Sequence, residues 1–403
     1  MNRPVVIPGL PRTWRGPRDI QFGSDPSRAL SIELADPRAA QILDLLDGTR
    51  SERAALQRAA ELDVPADQAR ALLEALQAAG LVIPASDLLP TGLPPESRRR
   101  LVGEAAALAM ARKRPADILG RRAACRVVVT GHGRLGAPIA VALAEASVGQ
   151  VEADIPGTVG PGELAGGPLR GTDLGRPRRK AISDAVLRAA PGLRSHSVRA
   201  ATAPHEHPHP EPATHPQPEF APHPQLEPDS AAPAAPTGDR ADLRSPLRDS
   251  AARRPSSPEH SLATTVVVQL DHYGRPGVPH LAVTIRDGTP VIGPFVPATG
   301  GPCLSCLDLH RKDRDPAWPG PPRRPLFEAV EPCAVATLLA ATAFATAEVL
   351  THLDGGHPQT LAAAVEIIAP GRTRRRRWPP HPACRCAPET HPSANQPGPP
   401  SQH

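Results

Sequence analysis

The sequence predicts an α/β chain: a small α+β unit followed by a parallel-sheet domain that a C-terminal zinc knuckle closes. Three observations lead there. A short apolar strand runs into a Gly-rich turn and a helix over residues 126–145. Four of the six cysteines fall in two close pairs about eighty residues apart, and residues 1–86 alternate strand-like and helix-like stretches at domain scale.

Within residues 1–86, Val5-Val-Ile7, the stretch from Trp14 to Phe22, and Leu30-Ser-Ile-Glu-Leu34 are expected as three strands. Asp36–Leu46, Ser51–Leu62 and Ala66–Ala79 place apolar residues at i, i+3 and i+4 and are expected as helices. Asp47-Gly48 stops the first, and Pro37 suits a helix N-terminus. The third helix carries one arginine against two acids, which argues against contact with nucleic-acid phosphates. Residues 87–119 read as a helical connector.

Residues 120–199 open the parallel-sheet domain. Arg126-Val-Val-Val-Thr130 is a strand, Gly131-His-Gly133-Arg-Leu-Gly136 a turn, and Ala137–Glu145 a helix with an apolar stripe. In that setting glycines allow a tight turn and close backbone approach, and the helix amides face a phosphate, as in Rossmann-like folds. A second strand, Val148–Asp154, ends in an acid where such folds hold a ribose. Residues 200–262 then collapse into Pro, His, Ala and Ser, as in Pro204–Pro210 and His223–Pro228. They cannot bury enough apolar surface to offset their ordering entropy, so a disordered insert is expected. The domain resumes over residues 263–386 with Ala263–Asp271, a β-branched run that reads as a buried strand. Ala387–His403 is a Pro/Ser/Gln tail.

The cysteine pairs are Cys303-Leu-Ser-Cys306, after the turn Gly300-Gly301-Pro302, and Cys384-Arg-Cys386, in a Pro-rich run. Two thiolate pairs on turns suit a four-thiolate structural zinc site, which has no open position for substrate. Buried thiols or two disulfides are the alternatives, but a one-residue spacing strains a disulfide and a reducing compartment disfavours it. The chain begins without an apolar signal core and has no run of eighteen apolar residues, so a cytoplasmic protein outside the membrane is expected. Net charge is +5, and aromatics at 2% are too few for a base-stacking surface.

Together, the Gly-rich turn, the downstream acid, the phrase Asp173-Leu-Gly-Arg-Pro-Arg178 and the late cysteine pairs resemble the ThiF and ubiquitin-activating adenylyltransferases. The phrase Cys303–Trp318 resembles the actinobacterial branch tied to azole-modified peptides, the partner proteins of cyclodehydratases. The N-terminal unit is similar to a winged, PqqD-like leader-binding element. That resemblance implies a leader groove along Leu30, Ile32 and Leu34, beside Leu72 and Leu73, where an extended peptide adds a strand. It also implies a precursor leader peptide and a YcaO-type cyclodehydratase as partners, with a homodimer kept as a candidate assembly.

The same resemblance implies an ATP/Mg2+ site made of Gly131, Gly133, Gly136, Asp154, Arg178, Lys180 and Asp271. Its pattern is incomplete here. Glu163-Leu-Ala-Gly166 stands where the family has Asn-x-x-Arg, and Arg178 stands at the lysine position. Arginine neutralises phosphate but differs in shape from lysine. The expected function is therefore leader binding and presentation with a degenerate adenylation site. The alternatives are an active adenylyltransferase acting on a C-terminal carboxylate, and a nicotinamide oxidoreductase resting on the Gly-rich turn alone. His272, His280 and His310 lack a nucleophile at a recognisable spacing and are read as structural. Arg372–Arg377 reads as a solvated segment leading to the knuckle, with contact to an acidic leader or a phosphate as the alternative.

Overall fold

The computed structural model describes residues 3–25, 27, 29–111, 113–192, 265–270, 277–320, 331–384 and 386. The expected insert and tail, together with Asp271 and His272, lie outside the described residues.

The N-terminal unit contains two small sheets. Its strands are β1 (Pro4–Val6), β2 (Arg12–Trp14), β3 (Asp19–Phe22), β4 (Leu30–Glu33) and β5 (Val82–Pro84). The stretch Trp14–Phe22, expected as one strand, divides because Gly16-Pro17 turns the chain and the Arg15 N–H bonds the Asp19 carbonyl at 2.9 Å. The result is an antiparallel meander, β2-β3-β4, while β1 pairs instead with β5. The expected helix Asp36–Leu46 is a 3-10 helix, Pro37–Leu45, whose first amides are met by Asp36. It is followed by α1 (Glu52–Ala60), capped by Ser51, and α2 (Ala66–Ala78). Their apolar faces meet in one core of Ile20, Phe22, Ile42, Leu46, Leu73 and Leu76. Each such large side chain contributes about 1.5–3 kcal/mol by burial.

Three connector helices follow: α3 (Ala85–Leu88), α4 (Pro95–Met110) and α5 (Pro115–Ala123). Proline starts α4 and α5, where a missing N–H costs nothing. Leu88, Leu101 and Leu119 pack with Val5 and Ile7 of the N-terminal unit. Arg122 is 3% exposed. It grips Asp354 with Nε at 2.7 Å and Nη2 at 2.8 Å, and Glu104 with Nη1 at 2.7 Å. That three-way contact ties the connector to the larger domain.

The larger domain is a seven-stranded mixed sheet. It comprises β6 (Arg126–Thr130), α6 (Gly136–Glu145), β7 (Gln150–Asp154), α7 (Arg178–Ala189), β8 (Thr265–Gln269), β9 (His280–Arg286), β10 (Thr289–Val296), α8 (Leu304–Arg314), α9 (Val335–Leu353), β11 (Ala363–Ala369) and β12 (Arg372–Arg377). Strand order is β12-β11-β10-β9-β8-β6-β7. β7, β6, β8 and β9 run parallel, and β10 to β12 continue the sheet antiparallel. The strands on both sides of β6 are rich in Val because they are buried within a parallel sheet. On one face Val127, Val129, Val266, Val268, Leu281 and Val365 share a core with α6, α7 and α9. On the other, Leu307 of α8 packs on Val291, Ala364 and Trp378. By length and mean hydropathy (1.3), α9 is the one described helix long and apolar enough to cross a membrane. Here its Leu338, Ala341, Ala345 and Val349 are part of the sheet core.

Candidate functional site

The Gly-rich turn sits at the C-terminal end of β6, where parallel α/β sheets bind ligands. The Thr130 carbonyl accepts the Leu270 N–H at 2.9 Å, which holds the end of β8 beside the turn. Gly131 and Gly133 have φ of 100° and 142°, conformations that side chains disfavour. A Cβ on Gly136 would lie 2.4 Å from Ile155 Cδ1 and 2.8 Å from Leu270 Cδ1, so a larger residue there would make the ends of these two side chains move. The backbone of the cradle is therefore built.

Its charges are engaged elsewhere. The Arg134 N–H, at the entrance to α6, donates to Glu331 Oε2 at 2.7 Å. The Arg134 guanidinium donates from Nη1 to the Glu331 and Cys333 carbonyls, both at 3.1 Å. A carboxylate of the chain itself thus bonds an amide of the Gly-rich turn, two residues before α6 begins. Asp154, at the end of β7, accepts from Arg179 Nη2 at 2.7 Å. Arg178 donates from Nε to Glu163 at 2.9 and 3.0 Å and from Nη1 to the Pro156 carbonyl at 2.9 Å. Lys180 is exposed and forms no ion pair among the described residues. The expected nucleotide-site residues thus cluster around the ends of β6 and β7, but Asp154 and Arg178 are each paired internally. Sequence reasoning missed the partners Glu163, Arg179 and Glu331. Glu163 was visible as an acid standing near a lost arginine, whereas Glu331 arrives from a distant loop and left no signal. Asp173, in the phrase before α7, is 1% exposed. The Arg170 N–H, and then Arg176, hold its carboxyl below the usual carboxylate range.

The four thiols of Cys303, Cys306, Cys384 and Cys386 converge, with every sulfur within 4.8 Å of the others. Cys303 lies 3.9 Å from Cys306 and 3.6 Å from Cys384, and Cys306 lies 3.2 Å from Cys386. Zn–S bonds of 2.3 Å in a tetrahedron place sulfurs about 3.8 Å apart, so this donor set fits one zinc ion. All four cysteines are free, so the disulfide alternative is set aside. Burial pushes the Cys384 and Cys386 thiols up. Burial also opposes ionisation of Cys303, but hydrogen bonds from the Cys306 N–H and the neighbouring thiols hold it below its ordinary value. Cys303 precedes α8 and Cys306 lies in its first turn, so the helix backbone sets their spacing.

A histidine that sequence reasoning passed over braces this knuckle. The His381 N–H reaches Cys306 Sγ at 3.4 Å, its Nδ1 accepts from the Ala383 N–H at 3.1 Å, and its Nε2 meets Asp313 at 2.7 Å. Such outer contacts orient metal-binding thiolates. His310 bonds the Pro379 carbonyl at 2.9 Å and stacks edge-on with His381. His280 bonds the Val278 carbonyl at 2.9 Å.

In the N-terminal unit, Leu34, Leu72 and Leu73 are core residues, and Leu30 and Ile32 are half-buried on β4, an outer strand of its sheet. The Leu34 N–H bonds the Arg18 carbonyl at 2.8 Å. Alternation in an antiparallel pair then turns Leu30 and Ile32 toward β3, and the N–H and C=O of Ser31 and Glu33 outward.

No family model matches the chain, and no curated protein does. Solved structures do. Escherichia coli MccB with AMPCPP and MccA matches at a TM-score of 0.52 and 13% identity, over 96% of this chain and 99% of that one. Escherichia coli MccB with ATP matches at 0.51 and 14%, with the same coverage. PaaA matches at 0.51 and 12%, over 92% of this chain and 98% of that one. Likeness at this level of identity establishes architecture alone: the chain has the α/β fold of MccB and PaaA.

Proposed function

We propose that this chain is a ThiF-type protein that binds the leader of a ribosomal precursor peptide and presents it to a YcaO-type cyclodehydratase in azole-modified peptide biosynthesis, with a degenerate adenylation site. The observation that carries this reading is the internal pairing at the nucleotide groups. Glu331 bonds the Arg134 amide, Glu163 holds Arg178, and Arg179 holds Asp154. An active site would aim those positive charges at a triphosphate. Each charge-assisted contact is worth about 1.5–3 kcal/mol even in ordinary binding. MccB, which shares the fold, is solved with MccA, which supports a partner-binding role for this architecture. The winged-helix-like unit is the proposed leader reader, by strand addition at the Ser31–Glu33 edge of β4.

A second reading, an active ATP-dependent adenylyltransferase, is favoured by the Gly-rich turn and by MccB structures with ATP and with AMPCPP. Two measurements on the full chain separate them. With ATP and magnesium, the scaffold reading expects no pyrophosphate exchange with any peptide carboxylate. It expects a labelled leader from a precursor encoded nearby to bind in fluorescence polarisation. Ser31→Pro should abolish that binding, because it removes an outward N–H and leaves the bonds to β3 intact. Exchange above background hands the function to the enzyme reading, and leader binding indifferent to Ser31→Pro moves recognition off β4.

A further inference from the structure

The other strong feature is at the far end of the seven-stranded sheet. β12 is its outermost strand, and all six of its residues are exposed. Five of the six are arginines: Arg372, Arg374, Arg375, Arg376 and Arg377. The Trp378 N–H bonds the Ala362 carbonyl at 2.9 Å. Counting back along the register, Arg376 and Arg374 turn their backbone to β11, while Thr373, Arg375 and Arg377 turn theirs outward. Among the described residues nothing pairs with that outward edge.

The charge on this strand is poorly compensated. Arg374 and Arg376 share one carboxylate, Glu366, at 2.6 and 3.0 Å. Arg375 donates to the neutral Gln359 carbonyl at 2.9 Å. Arg372 and Arg377 have no ion pair or hydrogen bond among the described residues. On the α8 face two more guanidinium groups lie nearby. Burial, and then Arg311, pushes Arg286 down to about 10; Arg311 pairs with Asp308 at 3.0 Å and is still lowered, by burial and then by Arg376. Charged side chains on an edge strand keep it from pairing with other chains. Five arginines within six residues repel one another, and that repulsion is relieved when an anion lies between them.

We propose that the outer edge of β12 is a docking strand for an acidic, extended segment of a partner protein, which adds to the sheet by main-chain hydrogen bonds while its carboxylates meet the arginines on both faces. Charge complementarity selects the occupant, and the free edge selects its conformation. The proposal is independent of the leader-binding reading, since it concerns a different sheet and a different probe.

The test uses the full chain and a fluorescein-labelled decapeptide of alternating Glu and Val, with the Lys/Val decapeptide as control, in fluorescence polarisation. The Glu/Val peptide is expected to bind at low salt and to weaken roughly tenfold or more by 0.5 M NaCl, where screening shortens the reach of each charge. Arg372→Glu with Arg377→Glu is expected to weaken it at least about tenfold, through two charges without internal partners. Thr373→Pro keeps every arginine and the ladder to β11, and should weaken binding about as much by removing an outward donor, whereas Thr373→Val should not. Zinc content and melting temperature, unchanged in each variant, exclude misfolding. Equal binding of the Lys/Val peptide, or no binding of either, overturns the proposal. So does sensitivity to the arginine changes without sensitivity to Thr373→Pro, which would mark a patch for small anions; inorganic phosphate competing at millimolar concentration would agree with that outcome.

Discussion

Replacing Cys303 by serine tests the zinc site and, through it, how this domain holds its late strands. The sulfurs of Cys303, Cys306, Cys384 and Cys386 lie at 3.2–3.9 Å along the measured pairs, close to a tetrahedral edge. Those pairs join the start of α8 to a segment beyond β12, which is otherwise anchored by Trp378 on Leu307 and the Ala362 carbonyl, His310 on the Pro379 carbonyl, and His381 on Asp313. Structural zinc contributes about 10–16 kcal/mol of apparent binding free energy in small zinc domains. If removing one of four ligands forfeits only a quarter of that, the loss is roughly 3 kcal/mol, a large share of a typical 5–15 kcal/mol stability. For a domain of this size it corresponds to a fall in Tm of about 6–12 °C. The assay is metal analysis by mass spectrometry together with a thermal melt, with and without chelator. We expect about one zinc per parent chain, clearly less in Cys303→Ser, a lower Tm for the variant, and a fall at least as large when the parent is treated with chelator, which removes the whole ion. Cys125→Ser and Cys333→Ser should retain full zinc. Metal-free parent protein that melts with Cys303→Ser at the same temperature refutes the zinc assignment.

Other expectations follow from the same contacts. Arg122→Ala leaves Asp354 and Glu104 without their cation, and breaking such a buried pair should cost about 3–5 kcal/mol in denaturant unfolding; a change below 1 kcal/mol would demote it to a surface contact. Asp173 has its pKa lowered in the fold, so its contribution is complete above the usual carboxylate range and lost as pH falls through its folded value. Asp173→Asn should therefore flatten the acid limb of the stability profile, as read by melts across pH 2–6. Glu331→Ala frees the Arg134 amide, yet the scaffold reading expects still no pyrophosphate exchange, because Glu163 continues to hold Arg178. Replacing residues 200–262 by a short Gly/Ser linker should leave Tm and zinc content unchanged, and a large loss of stability would mean that the segment packs against the domain.

Local chemistry made much of this fold legible. The Val-rich runs at β6 and β8, the glycines at 131, 133 and 136, and the two cysteine pairs each announce themselves, because strand burial, positive φ and thiolate spacing restrict residue type strongly. The N-terminal sheets were less legible: β2 and β5 are three residues each, too short to carry a period, and only Gly16-Pro17 hints that the Trp14–Phe22 stretch must fold back. The 3-10 character of Pro37–Leu45 was hidden for a similar reason, since nine residues span too few turns to separate a period of 3.0 from one of 3.6. The partners of the nucleotide groups were the least legible. Glu331 lies 197 residues from the amide it bonds, and no local pattern encodes a contact of that separation.

That last contact bears on how the two functional readings are to be weighed. Loss of a catalytic lysine or arginine from a sequence shows only that a group is absent. The structure adds that nearby charges have found other partners: Arg178 on Glu163, Asp154 on Arg179, and the Arg134 amide on Glu331. On the adenylyltransferase reading, the phosphates of ATP would have to displace Glu331 from the Arg134 amide and compete with Glu163 for Arg178. Each displacement exposes an acid to the incoming triphosphate, so the penalty is both a lost hydrogen bond and a like-charge repulsion. The glycine cradle can persist without nucleotide because its geometry also serves packing, Gly136 against Ile155 and Leu270. Intact glycines are therefore weak support for ATP turnover in this chain, and the fate of the charged groups is the stronger guide. By that guide the internal pairing of Arg178, Asp154 and the Arg134 amide favours the scaffold reading over the enzyme reading.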